Sequence, residues 1–178
     1  YLALAVSKAA DMGTTLATWK PSADQAINAF KRQAITMTWD FPEVNPLSQR
    51  HGGGVMTSLG GILKVLTGLP TPRIADVRQA GAASLPLTGC LISTDPPYYD
   101  NIGYSDLSDF FYVWLRRSLR NVHQDIFSTL LVPKADELVA NPYRHDGKAG
   151  AQAFFETGFR QVFAEARAAA LPEFPITV

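Results

Sequence analysis

The feature that most constrains this chain is the tetrapeptide Asp95-Pro96-Pro97-Tyr98, which directly follows the apolar run at residues 90–94. Thr88 and Gly89 introduce that run. A short apolar run behind a glycine turn is typical of a buried central strand in a parallel sheet. Ligands of open α/β sheets bind just beyond the carboxyl ends of the strands. The pattern therefore predicts a functional site at the tetrapeptide.

The residue types of the tetrapeptide suit the binding of a planar NH₂ group. The exocyclic amine of adenine or cytosine is a poor nucleophile, because its lone pair is delocalised into the ring. The Asp95 carboxylate and the Pro96 carbonyl can accept its two hydrogens as positive charge develops. Pro97 fixes φ in the turn, and Tyr98 offers a flat face for an extruded base. The alternative is a purely structural turn at the end of a strand.

Several segments of the chain resemble one known family. Residues 93–102 resemble motif IV of DNA amino-methyltransferases. Residues 104–115 narrow the match, because they are similar to the adenine-specific DNA methylases that carry a zinc ribbon, a prokaryotic family. Three more segments resemble the same family, at residues 39–46, 133–137 and 141–145.

The resemblance implies a reaction, a cofactor and a partner. The expected reaction transfers a methyl group from S-adenosylmethionine to the amine of a flipped base in DNA, with adenine as the first choice. Asp95, Pro96, Pro97 and Tyr98 would then be the catalytic residues. Cytosine, an RNA base or a protein glutamine remains an alternative acceptor, because the same tetrapeptide type serves those amines. A non-catalytic scaffold fragment of such an enzyme is the remaining alternative.

The expected cofactor site is only partly within this sequence. In the family, the glycine-rich cofactor motif and the zinc ribbon lie upstream, so both are expected in the remainder of a parent polypeptide, and the isolated chain is expected to be inactive. Asp76 resembles the acidic residue that meets the cofactor's adenine, although a solvated acid at a strand end is an equal alternative. The glycine cluster at residues 51–54 follows no strand, which favours a connector over a cofactor loop.

Other polar residues are weaker candidates. The candidate substrate-binding residues are Tyr99, Asn101, Lys134 and Arg144. The last two lie in a long polar loop at about residues 128–150, and such loops are often functional, but a solvated loop is an equal alternative. The three histidines and Cys90 lack the spacing of metal ligands, so no metal site is expected.

Composition limits the class of protein. A chain of 178 residues with 47% hydrophobic residues can bury the core of one domain. Zero net charge disfavours a free-standing nucleic-acid binder, but it does not exclude a catalytic fragment. One cysteine fits a reducing cytoplasm. No apolar run reaches transmembrane length, so no membrane partner is expected.

The order of elements predicts an α/β fold, a partial Rossmann-like S-adenosylmethionine-dependent methyltransferase sheet with flanking helices. Residues 1–178 would be a single partial domain, with a mainly helical lead-in at 1–70 and a catalytic α/β part at 71–178. Helices are predicted at about residues 2–19, 22–34, 55–66, 105–119 and 151–170. Strands are predicted at 35–39, 73–78, 90–94 and from 176. Ser105 is the expected N-cap of its helix, and the aromatic stripe of that helix is expected to be core.

Overall fold

The computed structural model of the chain describes residues 1–49, 53–70, 76–84, 86–100 and 102–178. The chain divides into two compact units. The first unit is Tyr1–Asp76 with Asp106–Val132, and the second unit is Val77–Ser105 with Pro133–Val178. This division differs from the predicted one at residue 70, because residues 106–132 belong to the first unit.

The first unit begins with two helices that pack together. Helix α1 (Leu2–Met12) is rich in alanine and leucine, which are strong helix formers. It ends at Gly13, earlier than the predicted helix at residues 2–19. Helix α2 (Val55–Gly68) packs against α1 and confirms the helix predicted at 55–66.

A small hairpin replaces the helix predicted at residues 22–34, and that prediction is wrong. Strand β1 (Thr18–Lys20) pairs antiparallel with β2 (Gln25–Ile27), so that Trp19 lies opposite Ala26. A 3₁₀ turn at Pro21–Ala23 and a left-handed Asp24, with φ 49°, connect the strands. Proline fixes its own φ and aspartate tolerates the left-handed region, so this turn chemistry outweighs the helical spacing.

Helix α3 (Tyr104–Leu119) carries the aromatic stripe. Tyr104 and Ser105 belong to the second unit and the remainder of the helix to the first. Phe110 and Phe111 pack on Phe30, with ring centroids 5.3 and 5.1 Å away. Trp114 is 38% exposed. Phe110 and Phe111 are only half-buried, so the stripe packs on Phe30 but is less buried than the predicted core.

Helix α4 (Gly147–Ala169) is the longest element of the second unit. It begins earlier than the predicted helix at residues 151–170 and ends beside the predicted position. Phe159 is buried and stacks at a tilt on Phe155, 4.5 Å away. Leu138 lies directly over Gly158, where an added Cβ would overlap its side chain and lie 3.1 Å from its Cδ1.

The described residues contain little sheet. The strand predicted at 35–39 is wrong, since these residues form no strand and the Thr38 hydroxyl instead donates to the Thr15 carbonyl at 2.6 Å. Of the strand predicted at 73–78, residues 73–75 lie outside the described residues and 76–78 form no strand. The segments predicted as strands at 90–94 and from 176 form no strand, but isolated parallel bridges join Ser93 to Thr177 and Cys90 to Ala170.

The fold is thus a mixed α/β arrangement of helices with a small two-stranded sheet. The pairing among the described residues is too limited to establish the predicted Rossmann-like sheet. Within those residues, no helix combines the length and the apolar character needed to cross a bilayer.

Candidate functional site

Residues 90–94, which precede the tetrapeptide, run parallel to the chain that follows α4. The Cys90 amide donates to the Ala169 carbonyl at 2.9 Å, and the Leu171 amide donates to the Cys90 carbonyl at 3.0 Å. Farther along, the Thr94 amide donates to the Thr177 carbonyl at 3.0 Å. These bonds hold residues 90–94 extended, as expected of a strand in a parallel pair.

This segment is less buried than predicted. Leu91 is 64% exposed, and Ser93 and Thr94 are exposed as well. The predicted position in the middle of a sheet is therefore not seen among the described residues, where one neighbouring segment pairs with one edge. Gly89 does turn the chain into the segment, as predicted, with φ 61°, a region in which L side chains are strained.

The tetrapeptide lies between two backbone anchors. On its N-terminal side, Thr94 is bonded to Thr177; on its C-terminal side, the Tyr99 carbonyl accepts the Ala140 amide at 2.7 Å. Pro96 and Pro97 are half-buried. Two prolines between two fixed ends restrict the path of the backbone.

The side chains of Asp95 and Tyr98 are accessible. The Asp95 carboxylate is exposed and, within the part of the chain that the structure describes, it forms no hydrogen bond or ion pair. Tyr98 is 54% exposed. The arrangement presents an acceptor with free lone pairs close in sequence to an aromatic face, which is what an incoming NH₂ group on a flat ring requires.

Tyr99 has a packing role that was not predicted. Its ring meets Phe155 of α4 edge to face, with centroids 4.9 Å apart, and it is 43% exposed. Such a contact fixes the ring and, with the Ala140 hydrogen bond, the end of the tetrapeptide. Its proposed contact with substrate stays a prediction.

A charged network lies just after the tetrapeptide, at the start of α3. One Glu137 carboxylate oxygen, Oε1, accepts the Ser105 amide at 2.8 Å. The other, Oε2, accepts the Ser105 hydroxyl and the Arg144 Nη1, the latter at 2.8 Å. The side chains of Arg144 and Glu137 are only 20% and 12% exposed. We call Ser105, Glu137 and Arg144 the Glu137 network.

The network determines the protonation of Glu137. Burial raises its pKa, but hydrogen bonds from the Ser105 hydroxyl and from Arg144 lower it, as do the Ser105 amide and the Arg144 charge. The net effect places the pKa below the ordinary value of 4.5, because each donor favours the ionised carboxylate. Glu137 is therefore charged at neutral pH.

The structure brings together only some of the predicted site residues. Arg144 lies in the Glu137 network, so its guanidinium is engaged with protein groups. Lys134 is half-buried in the second unit. Asp76 is exposed and belongs to the first unit, and Asn101 lies outside the described residues.

Sequence reasoning missed the role of Glu137 and misplaced Ser105. Ser105 was expected to cap α3, but the helix begins at Tyr104, and the Ser105 hydroxyl donates to Glu137 instead. The sequence did contain one indication of this pair. The segments 133–137 and 141–145 both resemble the family, and they contain Glu137 and Arg144, whose opposite charges can form an ion pair.

A cavity of about 330 Å³ lies in the first unit, away in sequence from the tetrapeptide. Its walls are the turn after α1 and residues of the segment 39–46: Gly13, Thr14, Thr15, Phe41, Pro42, Glu43 and Val44. None of the four tetrapeptide residues lines it. Glu43, for which the sequence suggested no role, is thus a wall of this cavity.

Residues 51 and 52 of the glycine cluster lie outside the described residues. Gly53 and Gly54 are buried and lead into α2, and the chain up to residue 49 is a loop and not a strand. The strand–turn–helix arrangement that holds S-adenosylmethionine is therefore not seen among the described residues of this region. Metal ligands are likewise not grouped, since no cluster of three or more His, Cys, Asp or Glu occurs among the residues described.

Comparisons of the chain with protein-family models, with curated proteins and with solved structures found no match.

Proposed function

We propose that this chain carries the amine-binding part of an S-adenosylmethionine-dependent DNA amino-methyltransferase, with adenine as the target base. The observation that carries the proposal is the tetrapeptide at residues 95–98, anchored on both sides and presenting a carboxylate with free lone pairs. The sequence resemblance at residues 93–115 gives the reaction class.

The roles of the residues follow from their chemistry. The Asp95 carboxylate accepts one hydrogen of the target amine and the Pro96 carbonyl accepts the other. As the amine becomes tetrahedral and positive, both acceptors interact with it more strongly, which lowers the barrier. Tyr98, 54% exposed, stacks on the flipped base.

When bound, S-adenosylmethionine supplies the methyl group. As the family resemblance implies, the proposal assigns the glycine-rich part of the cofactor site to the remainder of a longer polypeptide. Asp76 remains the proposed contact with the cofactor's adenine. On this proposal, the parallel pairing of residues 90–94 is part of a larger Rossmann-like sheet, and the enzyme acts in the cytoplasm, which suits the free Cys90.

The test is methyl incorporation from labelled S-adenosylmethionine by the full-length polypeptide. DNA, RNA and protein substrates are offered separately. We expect incorporation into DNA, at the N6 amine of adenine, and a loss of about 10²–10³-fold in kcat for Asp95→Asn, because one preorganised acceptor is weakened. Asp125→Asn is the matched control, since it changes an exposed carboxylate of the first unit.

The other acceptors give different results in the same assay. Label at cytosine, in RNA or only at protein glutamine would move the activity to that substrate and remove adenine from the proposal. Unchanged incorporation by Asp95→Asn would reject the catalytic role of the tetrapeptide.

A scaffold role is the second candidate, and the small sheet favours it. The described residues contain one two-stranded antiparallel sheet and two isolated parallel bridges, less than a complete methyltransferase core needs. On this view the full-length polypeptide would transfer no methyl group to any of the three substrates.

A further inference from the structure

Residues 137–144 hold both ends of the segment that follows the tetrapeptide. At one end, the Ala140 amide bonds to the Tyr99 carbonyl at 2.7 Å. At the other, the Glu137 Oε1 accepts the Ser105 amide at 2.8 Å. Between these points Ile102 is buried, at 6% exposure. Tyr99 and Ser105, on either side of this buried residue, are therefore both bonded to one short stretch that lies more than thirty residues later in the chain.

Glu137 satisfies a helix terminus from outside the helix. The first amides of a helix lack partners within it, and the Ser105 amide is one of them, since α3 begins at Tyr104. A carboxylate placed there also meets the positive end of the helix dipole. Ser105 is 5% exposed, so water cannot readily replace the carboxylate.

Arg144 fixes the orientation of that carboxylate. Its Nη1 donates to Glu137 Oε2 at 2.8 Å, and its Nη1 and Nη2 lie 3.5 and 3.4 Å from the Ser105 hydroxyl oxygen. With Oε2 engaged by two donors, Oε1 is directed at the Ser105 amide. Neighbouring Val139 and Ala140 are 4% and 3% exposed, so the stretch that carries the network is packed.

We propose that Glu137 is a positioning residue for the tetrapeptide, held in place by Arg144, and that it acts by fixing the start of α3. The tetrapeptide is anchored before Asp95 by Thr94 and after Tyr98 by Tyr99. Fixing Ser105 holds one end of the stretch 137–140, whose Ala140 amide bonds to Tyr99, and so limits the direction in which the adjoining Tyr98 faces. The role of Glu137 in catalysis rests on the proposed function, whereas its role in holding the segment does not.

The test combines hydrogen exchange with kinetics in the full-length polypeptide. Glu137→Gln keeps the size of the side chain and removes its charge. We expect exchange of the amides in residues 99–105 to rise about tenfold, because local opening becomes easier. For methylation of an adenine-containing duplex, we expect kcat to fall about tenfold with the KM for DNA within about threefold, because positioning acts on the transition state.

Asp136→Asn is the matched control, since Asp136 is the exposed neighbour of Glu137. It is expected to leave the exchange of residues 99–105 within about twofold of the wild type, as a surface substitution does. Ser105→Ala is the second variant. It removes the hydroxyl but keeps the amide bond to Oε1, so a smaller rise in exchange is expected even if Glu137→Gln fails to fold.

The outcomes separate the two proposals. Unchanged exchange at residues 99–105 in both Glu137→Gln and Ser105→Ala overturns the positioning role. Raised exchange with unchanged kcat overturns its link to catalysis. A wild-type polypeptide that does not methylate DNA, while Glu137→Gln still raises exchange, rejects the proposed function and leaves the structural role of Glu137 in place.

Discussion

Two connecting segments of this chain, residues 39–49 in the first unit and 133–145 in the second, are held in different ways. In the first, Trp39 is 89% and Leu47 74% exposed, and the Asn45 side chain bonds locally to the Leu47 amide at 3.0 Å. In the second, Glu137 and Arg144 pair at 2.8 Å beside buried Val139 and Ala140.

The two segments differ in how many of their contacts are buried and long-range. The first segment forms one wall of a cavity, and its hydrogen bonds include the local one from Leu47 to Asn45 and one from the Val55 amide of α2 to the Pro46 carbonyl at 2.8 Å. The second segment forms hydrogen bonds to Tyr99 and Ser105, which lie more than thirty positions earlier and follow the tetrapeptide in sequence. Substitutions in the second segment should therefore have the larger effects.

The largest effect is expected from Arg144→Met. It leaves the Glu137 carboxylate partly buried without its countercharge, which we expect to lower the free energy of unfolding by about 2–3 kcal/mol. Urea denaturation measures this loss. In a double-mutant cycle with Glu137→Gln, the second substitution should recover part of it; strictly additive losses would show that the two side chains do not interact.

The next effect concerns pH. Glu137 has a folded-state pKa below its ordinary value of 4.5, so its contribution is fully present above about pH 4.5 and is lost as the pH falls through the lower folded value. Unfolding midpoints measured between pH 6 and pH 3 should fall more steeply for wild type than for Glu137→Gln. Parallel curves would contradict the lowered pKa.

Gly89→Ala should lower the free energy of unfolding moderately. It tests the turn before the tetrapeptide, which lies in the same unit as the second segment. Gly89 has φ 61°, and the nearest atom to an added Cβ is Leu171 Cδ2 at 3.9 Å, so strain and not crowding sets the cost. We expect a loss of about 1 kcal/mol in the free energy of unfolding. Gly60→Ala, with nothing within 4 Å of the added Cβ, is the control inside a helix.

The smallest effect is expected from Trp39→Ala in the first segment. Because the ring is 89% exposed, the free energy of unfolding should change by less than about 0.5 kcal/mol. A loss well above that value would mean that Trp39 packs against a group in solution, and the contrast between the two segments would then disappear.

The elements that could be predicted from the sequence are those with local causes. The helix at residues 55–66 corresponds to α2, and that at 151–170 to α4, because their spacing and the surrounding loops determine them locally. The turn at Gly89 was also predictable, because glycine adopts positive φ without steric cost and stands directly before an apolar run.

The elements that could not be predicted depend on distant partners. Residues 22–34 have helical spacing, but the turn at Pro21–Asp24 favours a hairpin, and the Ala29 amide that follows it donates to the Asp11 carboxylate, 18 positions earlier, at 3.1 Å. The contact of Ser105 with Glu137 joins positions 32 apart, and no local pattern encodes it. At the candidate site, the sequence indicated the residues that we propose to bind the amine, but not Glu137, which bonds to the residues after them.

The close contact between Leu138 and Gly158 makes position 158 sensitive to the size of its residue. An added Cβ there would overlap the end of the Leu138 side chain, so that side chain would have to turn away before a larger residue could be accommodated. A substitution on α4, far in sequence from the tetrapeptide, would therefore act first on the residue next to Glu137.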